Sequence, residues 1–265
     1  MNLQVMAHFV SLFVTARDSA DVGWGLRAPE RAAVNRENNM RIEAEVTDLA
    51  ELDIDVAAAE LQLVFADVDV AALDVDGPCA EGWTMVREGE SLRVRSCEGP
   101  AKPRKPKDVV VLFLPKALEQ MPPVLSLRLA ASKFRGVGAF LALDAEISAS
   151  EADFAVQATE ARIACAASKV RVQLEDVGVA DFSVAAGELS VWLKGGAPSL
   201  TTVDVAAGSA SLIVPPVPYR VEKSVALGKA KIRVKEKASS PNVIEVSVGV
   251  GKVEIEAQSM PAPDF

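Results

Sequence analysis

The sequence predicts an all-β protein: a single-domain β-solenoid, or β-roll-like stack, built from two-strand repeats of about 18–23 residues. Apolar and polar residues alternate with period two, as in residues 125–129, which is typical of a strand buried on one face. Each alternating stretch ends at a corner of Ala, Ser or Gly. The corner recurs at a nearly fixed spacing from residue 129 onward, and such a period is typical of stacked repeats.

Composition supports this fold class and limits the function. Half of the 265 residues are hydrophobic, enough for a large core, and only 5% are aromatic. Abundant Val and Ala favour narrow β layers over an aromatic-lined ligand pocket. The net charge of -9 argues against a nucleic-acid partner, because such proteins concentrate positive charge.

Residues 1–40 are predicted to be an N-terminal extension, and residues 258–265 a C-terminal tail. The apolar run at residues 6–14 is far shorter than the roughly 18 residues that a membrane-spanning helix needs. It also lacks the basic start and cleavage site of a signal peptide. The sequence therefore predicts no membrane-spanning segment and, by default, a cytoplasmic or membrane-peripheral location.

Residues 41–257 are predicted to form the β-repeat domain, with a hairpin and a basic loop inserted around residues 77–107. Gly89, between two alternating stretches, predicts a hairpin turn with positive φ. The cluster at residues 102–107 contains two prolines, so it is expected to be a solvated loop rather than a strand or a binding site for nucleic acid or acidic lipid. The apolar run that follows, residues 108–115, predicts a strand buried on both faces.

The repeat corners are the residues that the sequence singles out. Glycine permits positive φ, but Ser or Ala replaces it in half of the copies, so positive φ is not expected at every corner. Small size is the expected requirement, because the neighbouring layer crowds this position. One repeat alone gains too little from burial to offset the entropy of ordering it, so stability is expected to be collective. The eight corners are Ala59, Ser132, Ser150, Ser168, Gly187, Gly208, Gly228 and Gly251.

On these repeats, the chain resembles the bacterial DUF4097 family of β-strand repeat proteins, an adhesin-type domain. The resemblance covers residues 41–257, including residues 52–61, the hairpin at residues 83–94 and the strand that ends at Pro115. It implies a stacked β architecture and a bacterial source, without an established activity. This chain departs from the family in using Ala-Ala-Ser or Ala-Ala-Gly where Ser-Ala-Gly-Asp is commoner, and in lacking the membrane segment often found upstream.

Candidate chemistry is sparse. His8 is the only histidine, which argues against a histidine-based triad or metal site. Cys165 falls on the repeat pattern and is expected in the core, whereas Cys79 and Cys97 have no metal-ligand spacing, and whether they pair stays open. The acidic series is expected to be a solvated outer face, with calcium binding or acid–base work as the alternative. Its members are Asp53, Asp55, Asp67, Asp69, Asp74 and Asp76.

These observations predict no catalytic residue, no metal site, no cofactor and no enzyme activity. The favoured function is a non-enzymatic scaffold that presents a β face to an unknown protein or cell-envelope partner, in an adhesin-like role. The first alternative is a structural element that assembles with itself, because the ends of a repeat stack expose unpaired strand edges. A carbohydrate-active β-helix enzyme, using outer-face carboxylates, is the weaker alternative. The sequence leaves the oligomeric state open.

Overall fold

The computed structural model of the chain describes residues 39–97 and 108–258. These residues form eighteen β-strands and two short 3-10 helices, Ala80–Gly82 and Lys116–Glu119, and they contain no α-helix. The prediction of an all-β protein is therefore confirmed. His8, residues 1–38 of the N-terminal extension, the basic cluster at residues 102–107 and residues 259–265 of the tail lie outside the described residues.

The strands differ in length along the chain, from short ones in the first part to strands of 15 or 16 residues that run through the corner without a break. The first nine are β1 (Asn39–Ala44), β2 (Glu51–Ala57), β3 (Ala59–Ala66), β4 (Ala71–Asp76), β5 (Thr84–Glu88), β6 (Ser91–Arg95), β7 (Asp108–Pro115), β8 (Val124–Ala130) and β9 (Lys133–Ala139). The others are β10 (Ala142–Ser148), β11 (Glu151–Gln157), β12 (Glu160–Glu175), β13 (Val179–Lys194), β14 (Leu200–Val214), β15 (Pro218–Val225), β16 (Lys229–Arg233), β17 (Lys235–Glu236) and β18 (Val243–Ala257).

Strands with the same place in successive repeats pair in parallel and in register. On one side of the corner the order is β5, β6, β2, β8, β10, β12, β13, β14, β18, β15. On the other side the order is β1, β4, β7, β3, β9, β11, β12, β13, β14, β18, β16. We call the strands at one level of this arrangement a layer. Alternation puts the apolar side chains of each layer inward, and nearly all of them are buried.

The layers do not follow the order of the chain at the C-terminal end. β18 pairs with β14 on one side and with β15 and β16 on the other, so the last long strand lies inside the repeat that precedes it in sequence. Lys223 gives the physical reason. It occupies the register position of Val246, which is buried, and of Val203 one layer further in. An inward-facing lysine is costly to bury, so the layer that contains it takes the edge.

Antiparallel strands form the opposite end. β5 and β6 make a hairpin whose turn contains Gly89 at φ 62°, where the sequence predicts it. β4 pairs antiparallel with β7, and β1 pairs antiparallel with β4. The prediction that β7 is buried on both faces is wrong, because its side chains alternate and Val109 is 50% exposed. β7 belongs to an outer layer, where only the inward face meets the core.

Candidate functional site: the repeat corners and the two terminal layers

The serine corners form a ladder of buried hydrogen bonds between layers. The backbone N–H of Ser132 donates to Ser150 Oγ at 3.0 Å, and the N–H of Ser150 donates to Ser168 Oγ at 3.1 Å. The N–H of Ala59 donates to Ser132 Oγ at 3.3 Å, which extends the ladder to the first copy. Each serine hydroxyl also donates to a backbone carbonyl oxygen. These serines therefore satisfy buried N–H groups at a turn, where no strand ladder is available to do so.

Positive φ occurs in these corners one residue earlier than the sequence suggests. Ala58, Ala131, Ala149 and Ala167 have φ between 50° and 58°, in the left-handed region. An L-residue adopts this conformation at a cost of about 1–2 kcal/mol. The corner residues Ser132, Ser150 and Ser168 themselves lack positive φ, in line with the expectation that it is not required at every corner. The left-handed residue is an alanine, and the serine after it supplies the hydrogen bond.

The glycine corners are built differently. Gly187 and Gly208 lie inside long strands, with φ of 113° and 105°, and a Cβ on either one would collide with the backbone of the preceding layer. Gly228 and Gly251 have no positive φ, so the expected conformational role is absent there. A Cβ at Gly251 would still lie 2.5 Å from the carbonyl oxygen of Gly208. Crowding by the next layer is thus what the four glycines share, as the sequence suggests.

The acidic series does not act as one face. Asp53 is only 8% exposed, so the prediction that the whole series is solvated is wrong for this residue. Arg95 donates to both of its carboxylate oxygens, at 2.6 and 3.1 Å, and Arg128 lies 3.4 Å away. The hydrogen bond from Arg95 lowers the pKa of Asp53, against the opposing effect of burial. A carboxylate neutralised in this way is a structural ion pair rather than a free metal ligand or base.

Asp55 lies on β2, whereas Asp67, Asp69, Asp74 and Asp76 lie at the end of the described β-structure formed by β1, β4 and β5. We call residues 39–50 and 67–90 the acidic end; they contain ten carboxylates and two arginines. An open depression of about 440 Å³ lies here, with Val46, Leu49 and Leu118 among its lining residues. Exposed Asp69 and Glu90 also line it. For seven acidic-end side chains no ion pair occurs within the described part of the chain: Glu45, Asp48, Asp67, Asp69, Asp76, Glu81 and Glu90.

The opposite terminal layer carries positive charge. We call residues 218–237, which contain β15, β16 and β17, the basic layer; they include seven Lys or Arg and two Glu. Arg220 pairs with Glu222 at 3.2 Å, and Arg233 pairs with Glu256 of the next layer. Four exposed lysines have no ion pair among the described residues: Lys223, Lys229, Lys235 and Lys237.

Tyr219, the only tyrosine of the chain, fixes the basic layer to the core. Its ring is fully buried, and its hydroxyl donates to the carbonyl oxygen of Pro215 at 2.9 Å. Burial raises the pKa of this phenol to about 12. Beyond this anchor the layer is open, because its inward side chains Val221, Ala230 and Ile232 are only partly buried. The edges of β15 and β16 that face away from β18 therefore offer both backbone hydrogen-bonding groups and apolar surface.

The cysteines and tryptophans serve packing in the described residues. Cys165 is 2% exposed, as expected for a core position. Cys79 and Cys97 are free thiols in hydrogen-bond contact. Burial, and to a smaller extent the hydrogen bond with Cys79, raises the pKa of Cys97 to about 11. Trp83 is buried and its indole N–H donates to Asp108 at 2.9 Å. Lys194 lies over the ring of Trp192, 4.1 Å from its centroid.

Nowhere in residues 39–97 and 108–258 do three or more His, Cys, Asp or Glu side chains come together as a possible metal site. The same ranges hold no helix with the length and apolarity to cross a bilayer.

Sequence reasoning located the corners but missed the basic layer. Lys223 was the sequence signal for the basic layer, because it stands where the other copies have an apolar residue. Those equivalents include Ile54, Leu127, Ala145, Ile163, Phe182, Val203 and Val246. The alternation of apolar and polar residues alone does not distinguish this one inward charge. The acidic end was missed because its carboxylates come from two segments that are separated in the sequence, residues 39–50 and 67–90.

No protein-family model and no curated protein matches the chain. Several solved structures are similar over most of its length. A "putative adhesin" from Parabacteroides distasonis is 13% identical, with a TM-score of 0.47, and the match covers 82% of this chain and 97% of that one. A "putative lipid binding protein" from the same species is 10% identical, with a TM-score of 0.44, covering 83% and 97%. A "putative adhesin" from Bacteroides fragilis is 11% identical, with a TM-score of 0.43, covering 83% and 97%.

Proposed function

We propose that residues 41–257 form one β-solenoid domain that acts as a non-enzymatic interaction scaffold. Its parallel, in-register layers and the serine ladder support this interpretation, since each repeat closes the core of its neighbour. The adhesin-like, cell-envelope role suggested by the family resemblance is part of the same proposal.

The basic layer is the surface that carries this function. β16 pairs only with β18, and β15 pairs with β18 and, at Pro218 and Tyr219, with the two-residue β17; among the described residues no other strand pairs with either. A strand edge of this kind binds an extended segment by strand addition, in which backbone hydrogen bonds supply affinity and side chains supply specificity. The partly buried Val221 and Ile232 add apolar area for the incoming strand.

The charge of this layer selects the occupant, which we propose to be an extended acidic segment. Lys223 lies at an inward register position, so an added apolar strand would bury an unpaired ammonium group. A carboxylate at that position would pair with it instead. Lys235 and Lys237, also without an ion pair among the described residues, extend the positive surface along the same layer.

Binding of a designed peptide tests this function directly. The probe is a short fluorescent peptide that alternates Val and Glu, with a Val–Lys peptide as its counterpart, and anisotropy is the readout. We expect the Val–Glu peptide to bind at low salt and to lose at least about tenfold in affinity in the triple variant Lys223→Glu, Lys235→Glu, Lys237→Glu, which we call the basic-layer variant.

The matched control reverses three exposed basic residues far from either end: Lys133→Glu, Arg162→Glu and Lys169→Glu. This mid-chain control has the same net charge as the basic-layer variant, so it separates the local surface from the overall field. Equal weakening in both variants, or equal binding of the two peptides by the unmodified protein, would show that the basic layer is not the binding surface.

A further inference from the structure

The two terminal layers of the described β-structure carry opposite net charge. The net charge of -9 conceals an acidic end with ten carboxylates and two arginines and a basic layer with seven cations and two glutamates. Exposed, unpaired side chains account for much of both surfaces among the described residues. A field of this kind repels like ends and attracts unlike ends over about one Debye length.

A continuous set of backbone hydrogen bonds connects the two ends along one column of loops. It begins where Ala50 donates to Glu90 and ends where Arg220 donates to Asn242. The bonds between them are Val124 to Ala50, Leu141 to Pro123, Thr159 to Leu141, Gly178 to Thr159, Ser199 to Gly178 and Val243 to Ser199. Lys237, whose N–H donates to the carbonyl of Tyr219, lies at the basic end of this column. Continuing the register into another molecule therefore brings Lys235 and Lys237 toward the loops that hold Glu45, Asp69 and Glu90.

The apolar surfaces at the two ends also match. Met40 and Ile42 on β1 are only partly buried, as are Ala230 and Ile232 on β16. Because β1 is antiparallel to β4, which is antiparallel to β7, β1 runs in the same direction as the parallel strands of its column. A second molecule placed on the basic layer can thus add β1 to β16 as the next parallel strand, with apolar residues facing inward on both.

We propose that the acidic end of a second copy of this chain occupies the basic layer, so that copies associate head to tail. This inference rests on the proposed function and names the acidic segment that the basic layer accepts. The contact is heterologous, since each copy uses one end of each kind. Repeated contacts of this type produce an open chain of subunits rather than a closed dimer.

Charge reversal at each end gives a complementation test. The basic-layer variant carries acidic groups at both ends. The acidic-end variant, Glu45→Lys, Asp69→Lys, Glu90→Lys, places three lysines at the acidic end and reduces its net charge from eight negative to two negative. Sedimentation velocity over a concentration series is the measurement, with circular dichroism to verify that each variant folds. We expect the unmodified full chain and the mid-chain control to increase in weight-average mass with concentration, each variant alone to remain monomeric, and an equimolar mixture of the two variants to associate again.

Salt adds a second criterion, because raising it from 0.1 M to 1 M shortens the Debye length from about 10 Å to about 3 Å and should reduce association. A monomeric unmodified protein at all concentrations, association that persists in the basic-layer variant, or a mixture of folded variants that stays monomeric would each overturn the proposal. Binding of the Val–Glu peptide without any self-association would refute the second copy as occupant and leave the proposed function standing. Failure of both measurements would refute both.

Discussion

Replacing Ser150 by alanine tests the serine ladder that joins the layers. Ser150 Oγ accepts the N–H of Ser132 at 3.0 Å and donates to the carbonyl oxygen of Ser148 at 2.7 Å. In the variant the Ser148 oxygen keeps the N–H of Ala131 at 3.0 Å, so only the buried N–H of Ser132 is left without a partner. An orphaned buried donor costs about 1–3 kcal/mol, and this is the expected loss in the free energy of unfolding.

Urea unfolding measures that loss as a lower midpoint at an unchanged slope, since the surface exposed on unfolding stays the same. The matched control is Ser183→Ala, where an exposed hydroxyl is removed and a change within about 0.5 kcal/mol is expected. Hydrogen exchange gives a local readout, because the Ser132 amide should exchange faster in the Ser150 variant. A change of less than about 0.5 kcal/mol together with unaltered exchange at Ser132 would refute the role we assign to the ladder.

Three further predictions concern single sites. Ala149 has a left-handed φ of 50°, which glycine adopts without strain, so Ala149→Gly should stabilise the protein by up to about 1 kcal/mol in urea unfolding. The control, Ala145→Gly in β10, should destabilise it. A lower free energy of unfolding in both variants would contradict the left-handed corner. The raised pKa of Tyr219, about 12 against the ordinary 10, favours the neutral phenol, so its contribution to stability is complete below pH 10 and is lost as the pH rises toward 12. The Tyr219→Phe variant should therefore be less stable than the unmodified protein at neutral pH, and it should lose less stability between pH 10 and pH 12. Parallel profiles of stability against pH for the two proteins would refute this. Oxidised glutathione should convert Cys79 and Cys97 to a disulfide through a mixed disulfide, with reduced glutathione as product and a loss of two hydrogens in the mass spectrum; two persistent glutathione adducts would show that the thiols do not meet.

Local pattern was sufficient for much of the fold. Alternation with period two determines which face of a strand is buried, and it does so without knowledge of the partner strand. The strand periodicity around Leu127 and Val246 and the turn at Gly89 were therefore accessible from the sequence. The corners were accessible as well, since a position crowded by the backbone of another layer excludes large side chains wherever it occurs.

The details of those corners required coordinates. Ser150 looks like a small substitute for glycine, but its hydroxyl oxygen accepts a hydrogen bond from the N–H of Ser132, 18 positions away in the sequence. Whether that N–H needs a side-chain acceptor depends on whether the strand ladder continues through the corner. The ladder breaks there in the early copies and continues through Gly208, and sequence composition does not encode this difference.

What the sequence alone determined is the all-β class, the positions of the corners and the alternation of each strand, because these depend on the chemistry of residues close together in the chain. The tertiary structure alone decided the order of the layers, the pairing of Asp53 with Arg95 and Arg128, and the separation of charge between the two ends. These depend on which distant segments meet. The decisive step is the insertion of β18 beneath β15 and β16, which places the lysine-rich segment at an edge and leaves it open to a partner.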